Sequence, residues 1–356
     1  MTRIAIITCY KIPDYGRAVT LRTALLASPD IETVIIKNKR RGVLRYPEVI
    51  YKTLRTRADV YLLTFRGYEM LPFILLRAGH KPVIFDELVN PLEVVTEHRA
   101  QKSGLVAQLM KIWSLFGGLY KWLAKRCRVI IADTQVHAQY SAQLSNLDAA
   151  KFTVIPVGAD EAVFKPATHP IKKDYFEVLF FGTMVPLHGL GYILDAAEQL
   201  KNHPDIKFRL VGGEQKAVEQ ILAAKSRGAH IEHQQWLEID KLAELAAQTE
   251  LCLCGPFGNT TQSKLVVTGK TFQSLASAAP TVVGQGPATE QAGLKDKVNC
   301  LVVPQGNSQA IVEAVLWSKE HQTELAKIGQ AGHQLYQKEF SQKVINQKVT
   351  ALLARL

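Results

Sequence analysis

Short runs of β-branched and other apolar residues alternate with longer stretches of helical periodicity along the whole 356-residue chain. This alternation is typical of α/β proteins, in which helices bury both faces of parallel sheets. About six strands are predicted in each half of the chain. They are 4–8, 33–36, 60–64, 82–86, 129–133 and 152–156 in the first half, and 176–181, 207–211, 231–234, 251–254, 281–283 and 300–303 in the second.

A proline-containing segment around 157–173 separates the two sets of strands and is predicted to be a linker rather than a helix. We therefore predict two Rossmann-like, doubly wound domains that face one another across a cleft. The N-terminal domain is assigned to 1–158, the linker to 159–173 and the C-terminal domain to 174–330. The helical residues 331–356 are predicted to pack back on the N-terminal domain.

Basic residues outnumber acidic residues 43 to 32, which gives a formal net charge of +11. The excess lies in the first 158 residues, which carry 23 basic and 12 acidic side chains, whereas the remaining residues carry 20 of each. This asymmetry indicates an anionic partner for the N-terminal domain, such as a membrane surface, a phosphorylated acceptor or nucleic acid. We expect no nucleic-acid partner, because the sequence holds no recognisable DNA- or RNA-binding module.

Three features of the sequence exclude other protein classes. No uncharged apolar run approaches the ~18 residues of a membrane-spanning helix, so the chain is not expected to cross a bilayer. The first apolar run is also too short for a secretory signal. Five scattered cysteines without C-x-x-C spacing are typical of reduced thiols rather than of disulfides or a zinc site. We therefore expect a cytoplasmic protein.

The predicted strand 176–181 is followed by a glycine-containing loop, 182–189, and then by a helix. Such a loop presents backbone N–H groups and the positive end of the helix dipole, which can hold a diphosphate. The alternative is that these glycines merely allow the chain to turn.

A second candidate site follows the strand 251–254. The turn 255–260 contains Gly258, and the helix after it begins with Lys270 and Gln273 on one face. A lysine in the first turn of a helix is disfavoured by the dipole, so a bound anion is expected to compensate. The alternative is a solvated surface lysine.

These segments together resemble the donor domain of glycosyltransferases of the GT-B fold, of the retaining family 4 type. The resemblance is carried by Phe181-Gly182-Thr183 with Pro186-Leu187-His188-Gly189, by the turn 255–258, by Lys270 to Ala276, and by Pro280 to Val283 with Pro287 to Glu290. In the N-terminal half, Ala132-Asp133-Thr134 and Val154 to Asp160 are similar to the strand and linker that close the family's first domain.

The resemblance implies a hexosyltransferase that takes a nucleotide-diphosphate sugar and transfers the sugar with retention of configuration. It implies no cofactor and no metal, and no Asp-x-Asp motif that would hold a cation on the diphosphate occurs in the sequence. His188 and Lys270 are then expected to stabilise the leaving diphosphate. The expected donor-binding residues are Gly16, Gly182, Thr183, His188, Gly258, Lys270, Gln273 and Glu290.

Several residues depart from the family's pattern. Thr183 and His188 stand where the family usually has an arginine and a lysine. The two glutamates of the family's donor motif are replaced by Leu265 and Gln273. An amide oxygen accepts hydrogen bonds from a ribose less strongly than a carboxylate does. Two alternatives therefore stay open: a non-catalytic or partner-dependent GT-B protein, and a nucleotide-sugar epimerase on the same fold.

Three further residues are predicted to contact a substrate. Asp86 ends the strand 82–86 next to Glu87, and a carboxylate there can orient or deprotonate an acceptor hydroxyl. The alternative for this pair is loop closure or helix capping. Trp236 and Leu237 follow the strand 231–234 where relatives place the nucleobase, although a tryptophan commonly packs in a core.

The stretch 103–128 interleaves aromatic and aliphatic residues with lysine and arginine and contains no acid. This pattern is typical of an interfacial helix on an anionic membrane, whereas the alternative is a core helix with lysines at its margins. The acceptor is therefore expected to be a membrane-linked glycan or glycolipid in polysaccharide synthesis, and the enzyme a peripheral membrane protein. The residues predicted for this face are Lys111, Trp113, Lys121, Trp122, Lys125 and Arg126.

Overall fold

The computed structural model describes residues 1–65, 67–93, 117–168 and 173–356. The chain divides into two compact units. The first comprises 1–157 and 342–356, and the second comprises 158–341.

The described part of the first unit forms a six-stranded parallel sheet in the order β2-β1-β3-β4-β5-β6. Its strands are β1 (Thr2–Thr8), β2 (Ile31–Lys37), β3 (Val60–Leu63), β4 (Val83–Asp86), β5 (Val129–Ala132) and β6 (Phe152–Val154). The helices between them are α1 (Gly16–Leu26), α2 (Arg45–Arg55), α3 (Leu71–Ala78), a helical segment at 117–126, and α4 (Gln135–Ser145). Single 3-10 turns lie at Gly42–Leu44, Tyr68–Met70 and Ala149–Lys151.

Two apolar cores lie on the two faces of this sheet, because successive side chains of a strand point to opposite faces. Ala5 and Ile7 of β1 belong to one core, which also contains residues of α2, α3, α4 and the segment 117–126. Ile4 and Ile6 belong to the other core, which α1 covers. The β-branched runs are therefore explained by burial on both faces.

The second unit also contains a six-stranded parallel sheet in its described residues, in the order β12-β11-β10-β7-β8-β9. Its strands are β7 (Phe176–Gly182), β8 (Ile206–Gly212), β9 (Ile231–Gln234), β10 (Leu251–Leu253), β11 (Thr281–Gly284) and β12 (Leu301–Val303). Its helices are α5 (Leu190–Gln199), α6 (Gln215–Ser226), α7 (Ile239–Gln248), α8 (Thr261–Leu265), α9 (Gly269–Ala276), α10 (Pro287–Gln291), α11 (Ser308–Glu320) and α12 (Gln322–Glu339), with a 3-10 turn at Pro186–His188. The prediction of two parallel α/β domains is confirmed.

The C-terminal return begins later than predicted. Residues 331–341 belong to the second unit, where the buried Tyr336 hydroxyl donates to Glu161 Oε1 at 3.1 Å and accepts from the Ala159 N–H at 3.3 Å. Helix α13 (Gln342–Leu353) belongs to the first unit and packs against α1. Its Gln342 Nε2 donates to the carbonyl of Thr20 at 3.0 Å. Since these bonds anchor 336 and 342 in different units, the prediction of a return from 331 is wrong in its starting point.

No helix among the described residues is long and apolar enough to cross a membrane.

Candidate functional site

The loop after β7 is held against the loop after β10. The Gly258 N–H donates to the carbonyl of Leu187 at 3.0 Å. A Cβ on Gly258 would lie 2.4 Å from the carbonyl oxygen of Pro186, and one on Gly189 would lie 2.6 Å from the Gly258 nitrogen. Both positions therefore require glycine, and Gly189 also has the left-handed φ of +69° that begins α5. Gly258 thus shapes the predicted donor loop by packing against it.

The side chains of Lys270 and His188 both lie beside Gly182, at the start of this loop. A Cβ built on Gly182 would lie 3.5 Å from Lys270 Cε and 3.8 Å from His188 Cε1. Beneath them is the Phe180 ring, whose centroid is 5.1 Å from Lys270 Nζ and 6.3 Å from that of the His188 ring. The structure thus brings together Gly182, His188 and Lys270, which were predicted separately from two motifs.

Neither basic group has a hydrogen-bond partner within the described chain. Lys270 is only 5% exposed, and its Nζ is buried and unbonded. His188 is half-buried, but its Nδ1 is buried and unbonded as well. An unpaired buried cation is costly, and natural proteins keep such groups mainly where a ligand pairs with them. The alternative prediction of a solvated surface lysine is therefore wrong.

The protonation of the two groups follows from this burial. Removal from water disfavours the ammonium form and lowers the pKa of Lys270 to about 7. Burial, and then the charge of Lys270, holds the pKa of His188 well below its ordinary value. An anion placed between them would reverse both effects. The site is therefore electrostatically prepared for an anionic group such as a diphosphate.

The remaining predicted donor residues lie on the surface or at its margin. Thr183 is exposed in the loop after β7, and Gln273 is half-buried in α9. Glu290 is exposed in α10, whose first turn is instead capped by Thr289 through the Gly286 N–H. The structure does not bring these three into a bonded contact with Lys270 or His188.

The two predicted nucleobase residues follow β9. Trp236 is 70% exposed and Leu237 is half-buried. The alternative of a core tryptophan is therefore wrong, because the side chain extends from a surface loop. Leu265, which stands at one of the missing glutamate positions, is buried at the end of α8.

In the first unit, Gly16 is the first residue of α1, and a Cβ built there would meet no neighbouring atom. Asp86 ends β4 and is almost fully buried. The Arg17 guanidinium donates to Asp86 Oδ1 from Nε at 3.0 Å and from one terminal nitrogen at 2.9 Å. Its other terminal nitrogen donates to the carbonyls of Ile155 and Pro156 at 2.8 and 2.6 Å. This pairing shows the loop-closing interaction that was the alternative for Asp86, and its role as a base stays a prediction.

A second buried polar cluster lies beside it. His137 Nδ1 is 2.7 Å from Asp133 Oδ1, and His137 Nε2 is 3.9 Å from Glu87 Oε1. Ser141 donates to the same Glu87 oxygen and accepts from Asn90 Nδ2. Burial raises the pKa of Glu87 to about 7. Sequence patterns assign no side-chain partners to Arg17, Asn90 or Ser141, because each of those partners lies at least 51 residues away along the chain.

The predicted membrane face is described only in part. Lys111 and Trp113 lie outside the described residues. In the segment 117–126, Lys121, Trp122, Lys125 and Arg126 are exposed, while Tyr120, Leu123 and Ala124 on the opposite side are buried. The Arg126 guanidinium lies 3.3 Å from the centroid of the Trp122 ring, and Trp122 is 52% exposed. This part of the stretch is an amphipathic surface helix.

No cluster of three or more histidine, cysteine or acidic side chains that could hold a metal is found in the described ranges. The five cysteines are all free and buried.

Comparison with known proteins identifies the second unit. Residues 175–320 match the sequence profile of the family Glycosyl transferases group 1. No curated protein matches the chain in sequence.

Solved structures match both units. HepE of Anabaena, solved in complex with UDP-glucose, superimposes with a TM-score of 0.78 at 16% identity over 100% of both chains. Sucrose-phosphate synthase from Thermosynechococcus elongatus gives a TM-score of 0.78 at 14% identity over 100% of this chain and 99% of that one. TarM, a protein of S. aureus, gives 0.62 at 14% identity over 86% of this chain and 57% of that one. We conclude that residues 175–320 match the family Glycosyl transferases group 1 in sequence and that the chain has the GT-B fold.

Proposed function

We propose that the protein is a glycosyltransferase that binds a nucleotide-diphosphate sugar through Lys270 and His188 and transfers the sugar to an acceptor. The observation that carries this proposal is the buried, unbonded Nζ of Lys270 beside the unbonded Nδ1 of His188. The two groups lie within the group 1 glycosyl transferase domain. A diphosphate supplies the negative charge that this part of the domain lacks.

These groups favour the reaction because negative charge grows on the diphosphate as its bond to the sugar breaks. Lys270 and His188 are fixed in a water-poor environment, where each hydrogen bond to the departing oxygen is stronger than in water. In the retaining, metal-independent reaction that we propose, the bond from the anomeric carbon to the phosphate oxygen breaks. The bond to the acceptor oxygen forms on the same face, and the acceptor proton moves to the departing phosphate.

The contacts to the rest of the donor are proposed from the resemblance to the family. Gln273 accepts hydrogen bonds from the ribose hydroxyls through its amide oxygen, and Trp236 with Leu237 contacts the nucleobase. Thr183, which stands where the family usually has an arginine, and Glu290 complete the proposed donor-binding residues. HepE was solved in complex with UDP-glucose, so UDP-glucose is the first donor to test.

We infer that the acceptor is a glycan or glycolipid linked to a membrane and that the protein works as a peripheral membrane protein in the cytoplasm. The support is the basic excess of residues 1–158 and the exposed side chains Lys121, Trp122, Lys125 and Arg126. In this reaction Asp86 orients the acceptor hydroxyl rather than taking its proton, although its Oδ1 already accepts two bonds from Arg17.

A second candidate function is nucleotide-sugar binding without transfer. It is favoured by Leu265, which is buried and cannot orient a sugar hydroxyl, and by the neutral Gln273. This candidate predicts that a nucleotide sugar stabilises the protein but is not consumed.

A thermal-shift panel tests the donor site. Purified protein is heated with UDP, GDP, ADP, CMP and their common sugar conjugates, because a ligand that binds only the folded state raises the melting temperature. We expect a shift with one nucleotide class, and loss of that shift in Lys270→Met. The matched control is Lys225→Met, which alters an exposed lysine of α6 in the same unit.

Two results would contradict the proposal. One is the absence of a shift with every nucleotide, and the other is a shift of equal size in Lys270→Met and Lys225→Met. Consumption of the bound donor with lipid-linked acceptors then distinguishes transfer from binding alone.

A further inference from the structure

Helix α2 presents apolar side chains on two opposite sides. On the inner side, Val49 and Thr53 are fully buried against the sheet. On the outer side, Tyr51 and Leu54 are each 54% exposed, and Leu44, the last residue of the preceding 3-10 turn, is 55% exposed. Their spacing, together with the exposed Pro47, follows the three- and four-residue intervals of one helix face. Soluble helices rarely carry a second apolar stripe, which therefore indicates a binding surface.

The turn before α2 continues this stripe and adds positive charge. Val43 in the 3-10 turn is 77% exposed. Exposed basic side chains flank the stripe at both ends, and none of them forms a salt bridge to a described residue. They are Lys39, Arg40 and Arg41 before the helix, and Arg55 and Arg57 at and after its end.

Specific hydrogen bonds hold the basic turn beside the helix. Glu48 accepts the N–H groups of Lys39 at 3.0 Å and of Arg40 at 2.8 Å, and its carboxylate is paired with Lys52. Asn38 donates to the carbonyl of Arg40 at 3.0 Å. Glu48 is the sole acid of residues 33–58, and these bonds occupy it. The exposed charged side chains of residues 33–58 are therefore all basic, and the neighbouring Glu69 pairs with Arg45.

The segment 117–126 contributes to the same layer of the first unit. Its Tyr120 and Leu123 belong to the core that also contains Val49 of α2, so both helices cover the same face of the sheet. On its outer side, Leu119 and Trp122 are 44% and 52% exposed. The opposite face of the sheet is covered by α1 and α13.

We propose that the outer surface of α2 and its preceding turn docks on an anionic lipid bilayer, with the outer side of 117–126 as part of the same interface. Aliphatic and aromatic side chains enter the headgroup region while lysine and arginine contact lipid phosphates, a division of roles typical of interfacial helices. The inference rests on the proposed function, because docking on the bilayer would bring the enzyme to a lipid-linked acceptor.

A bilayer suits this surface better than nucleic acid does. Nucleic-acid surfaces combine cations with aromatic rings that stack on bases, whereas the most exposed apolar side chains here are the aliphatic Val43 and Leu44. The Arg55 guanidinium lies 4.5 Å from the centroid of the Tyr51 ring and stacks on one face of it. That face is therefore not open to a base.

Vesicle flotation of the full chain tests the proposal. Vesicles of phosphatidylcholine with phosphatidylglycerol are compared with vesicles of phosphatidylcholine alone. We expect binding to the anionic vesicles that weakens with salt. Leu44→Ser with Leu54→Ser is expected to reduce the partition coefficient by about tenfold or more, and Arg40→Gln with Arg41→Gln by about fivefold for each cation removed.

The matched controls lie in the second unit. Leu222 of α6 is 56% exposed, and Lys225 is exposed on the same helix. We expect Leu222→Ser and Lys225→Gln to leave vesicle binding unchanged. All variants are checked by thermal unfolding, and equal melting temperatures show that the changed residues act at the surface.

Three results would overturn the proposal. They are the absence of flotation with anionic vesicles, an equal loss in the Leu222 and Leu44 variants, and binding of a random RNA that the Leu44/Leu54 variant loses while its vesicle binding is unchanged. The nucleotide-induced thermal shift is measured on the same proteins. Absence of vesicle binding by the wild type, with its nucleotide shift intact, refutes the docking surface alone. Vesicle binding by the wild type without a nucleotide shift refutes the donor site alone.

Discussion

The two units share the same plan of six parallel strands but treat their buried cations in opposite ways. In the first unit, Arg17 donates two bonds to Asp86 and two to backbone carbonyls, so its charge and its hydrogen-bonding groups are satisfied within the protein. In the second unit, Lys270 has neither a carboxylate nor a hydrogen-bond partner in the described chain. Its Nζ instead lies 5.1 Å from the centroid of the Phe180 ring.

This difference separates a structural cation from a binding cation. A satisfied buried ion pair connects distant segments and leaves nothing for a ligand. An unpaired buried cation lowers the stability of the free protein, and the protein regains that free energy when an anion binds to the cation. The two residues lie near the carboxyl ends of equivalent sheets, so the fold alone does not distinguish them.

The largest expected effect is the loss of the Arg17 pair. Arg17→Met leaves Asp86 buried without its partner, and breaking a buried pair in this way costs about 3–5 kcal/mol of unfolding free energy. Guanidinium unfolding, followed by a probe in each unit, measures this cost and tests whether the second unit keeps its stability.

The control for Arg17 is a surface ion pair of the same helix. Arg22 lies 2.7 Å from Asp14, and both side chains are partly exposed. Arg22→Met should lower the unfolding free energy by less than about 1 kcal/mol. Equal losses in the two variants would contradict a structural role that is particular to Arg17.

The next effect has the opposite sign. Lys270→Met replaces a buried, unpaired ammonium group with an apolar side chain of similar length, so the free protein should become more stable by on the order of 1–3 kcal/mol near pH 7. Chemical unfolding without nucleotide measures the change. A destabilised variant would show that Lys270 supports the fold as Arg17 does, and the contrast between the units would fail.

The pH dependence gives a third test. The pKa of Lys270 is about 7 in the folded protein, whereas an unburied lysine has a pKa of 10.5. Between pH 7 and pH 10.5 the unfolded chain therefore binds more protons than the folded protein. The unfolding free energy of the wild type should therefore rise with pH across this window relative to Lys270→Met. Below pH 7 both states are protonated, and the difference should become constant.

Nucleotide affinity should change in the reverse direction over the same window. A bound diphosphate favours the charged lysine, so binding takes up a proton and weakens by at most about tenfold for each pH unit above 7. Calorimetry in two buffers of different ionisation enthalpy detects this uptake. Identical heats in both buffers would show that Lys270 is not the group that becomes protonated.

The strands were predictable from sequence, whereas the partners of the buried polar groups were not. Segments such as 129–133 and 176–181 are identifiable because strands covered on both faces consist of continuous apolar runs. The carbonyls that hold Arg17 lie 138 and 139 residues away, and no local pattern encodes such a pairing. The start of the C-terminal return was also misplaced, because 331–341 are as helical in pattern as 342–353 and only tertiary contacts assign them to different units.

The donor site was predictable in part for a related reason. Gly182 and Lys270 could be singled out because a glycine loop and a first-turn lysine have local signatures. That they meet beside His188 depends on the packing of Gly189 against Gly258, which only the folded chain shows. The exposure of Trp236 was likewise not encoded in its strand-proximal position, since a tryptophan there suits either a core or a surface loop.

The smallest effect concerns a residue that distinguishes this chain from the family pattern. Gln273→Glu restores a carboxylate in α9, and a carboxylate accepts ribose hydroxyls through stronger, charge-assisted bonds. We expect UDP to bind about three- to tenfold more tightly, as measured by calorimetry at a fixed pH near 7. Gln291→Glu, at the end of α10, is the matched control and should leave the affinity unchanged. A weaker affinity in Gln273→Glu would mean that the side chain faces the diphosphate rather than the ribose. The anion selectivity of Lys270 and His188 would then depend on a neutral residue at position 273.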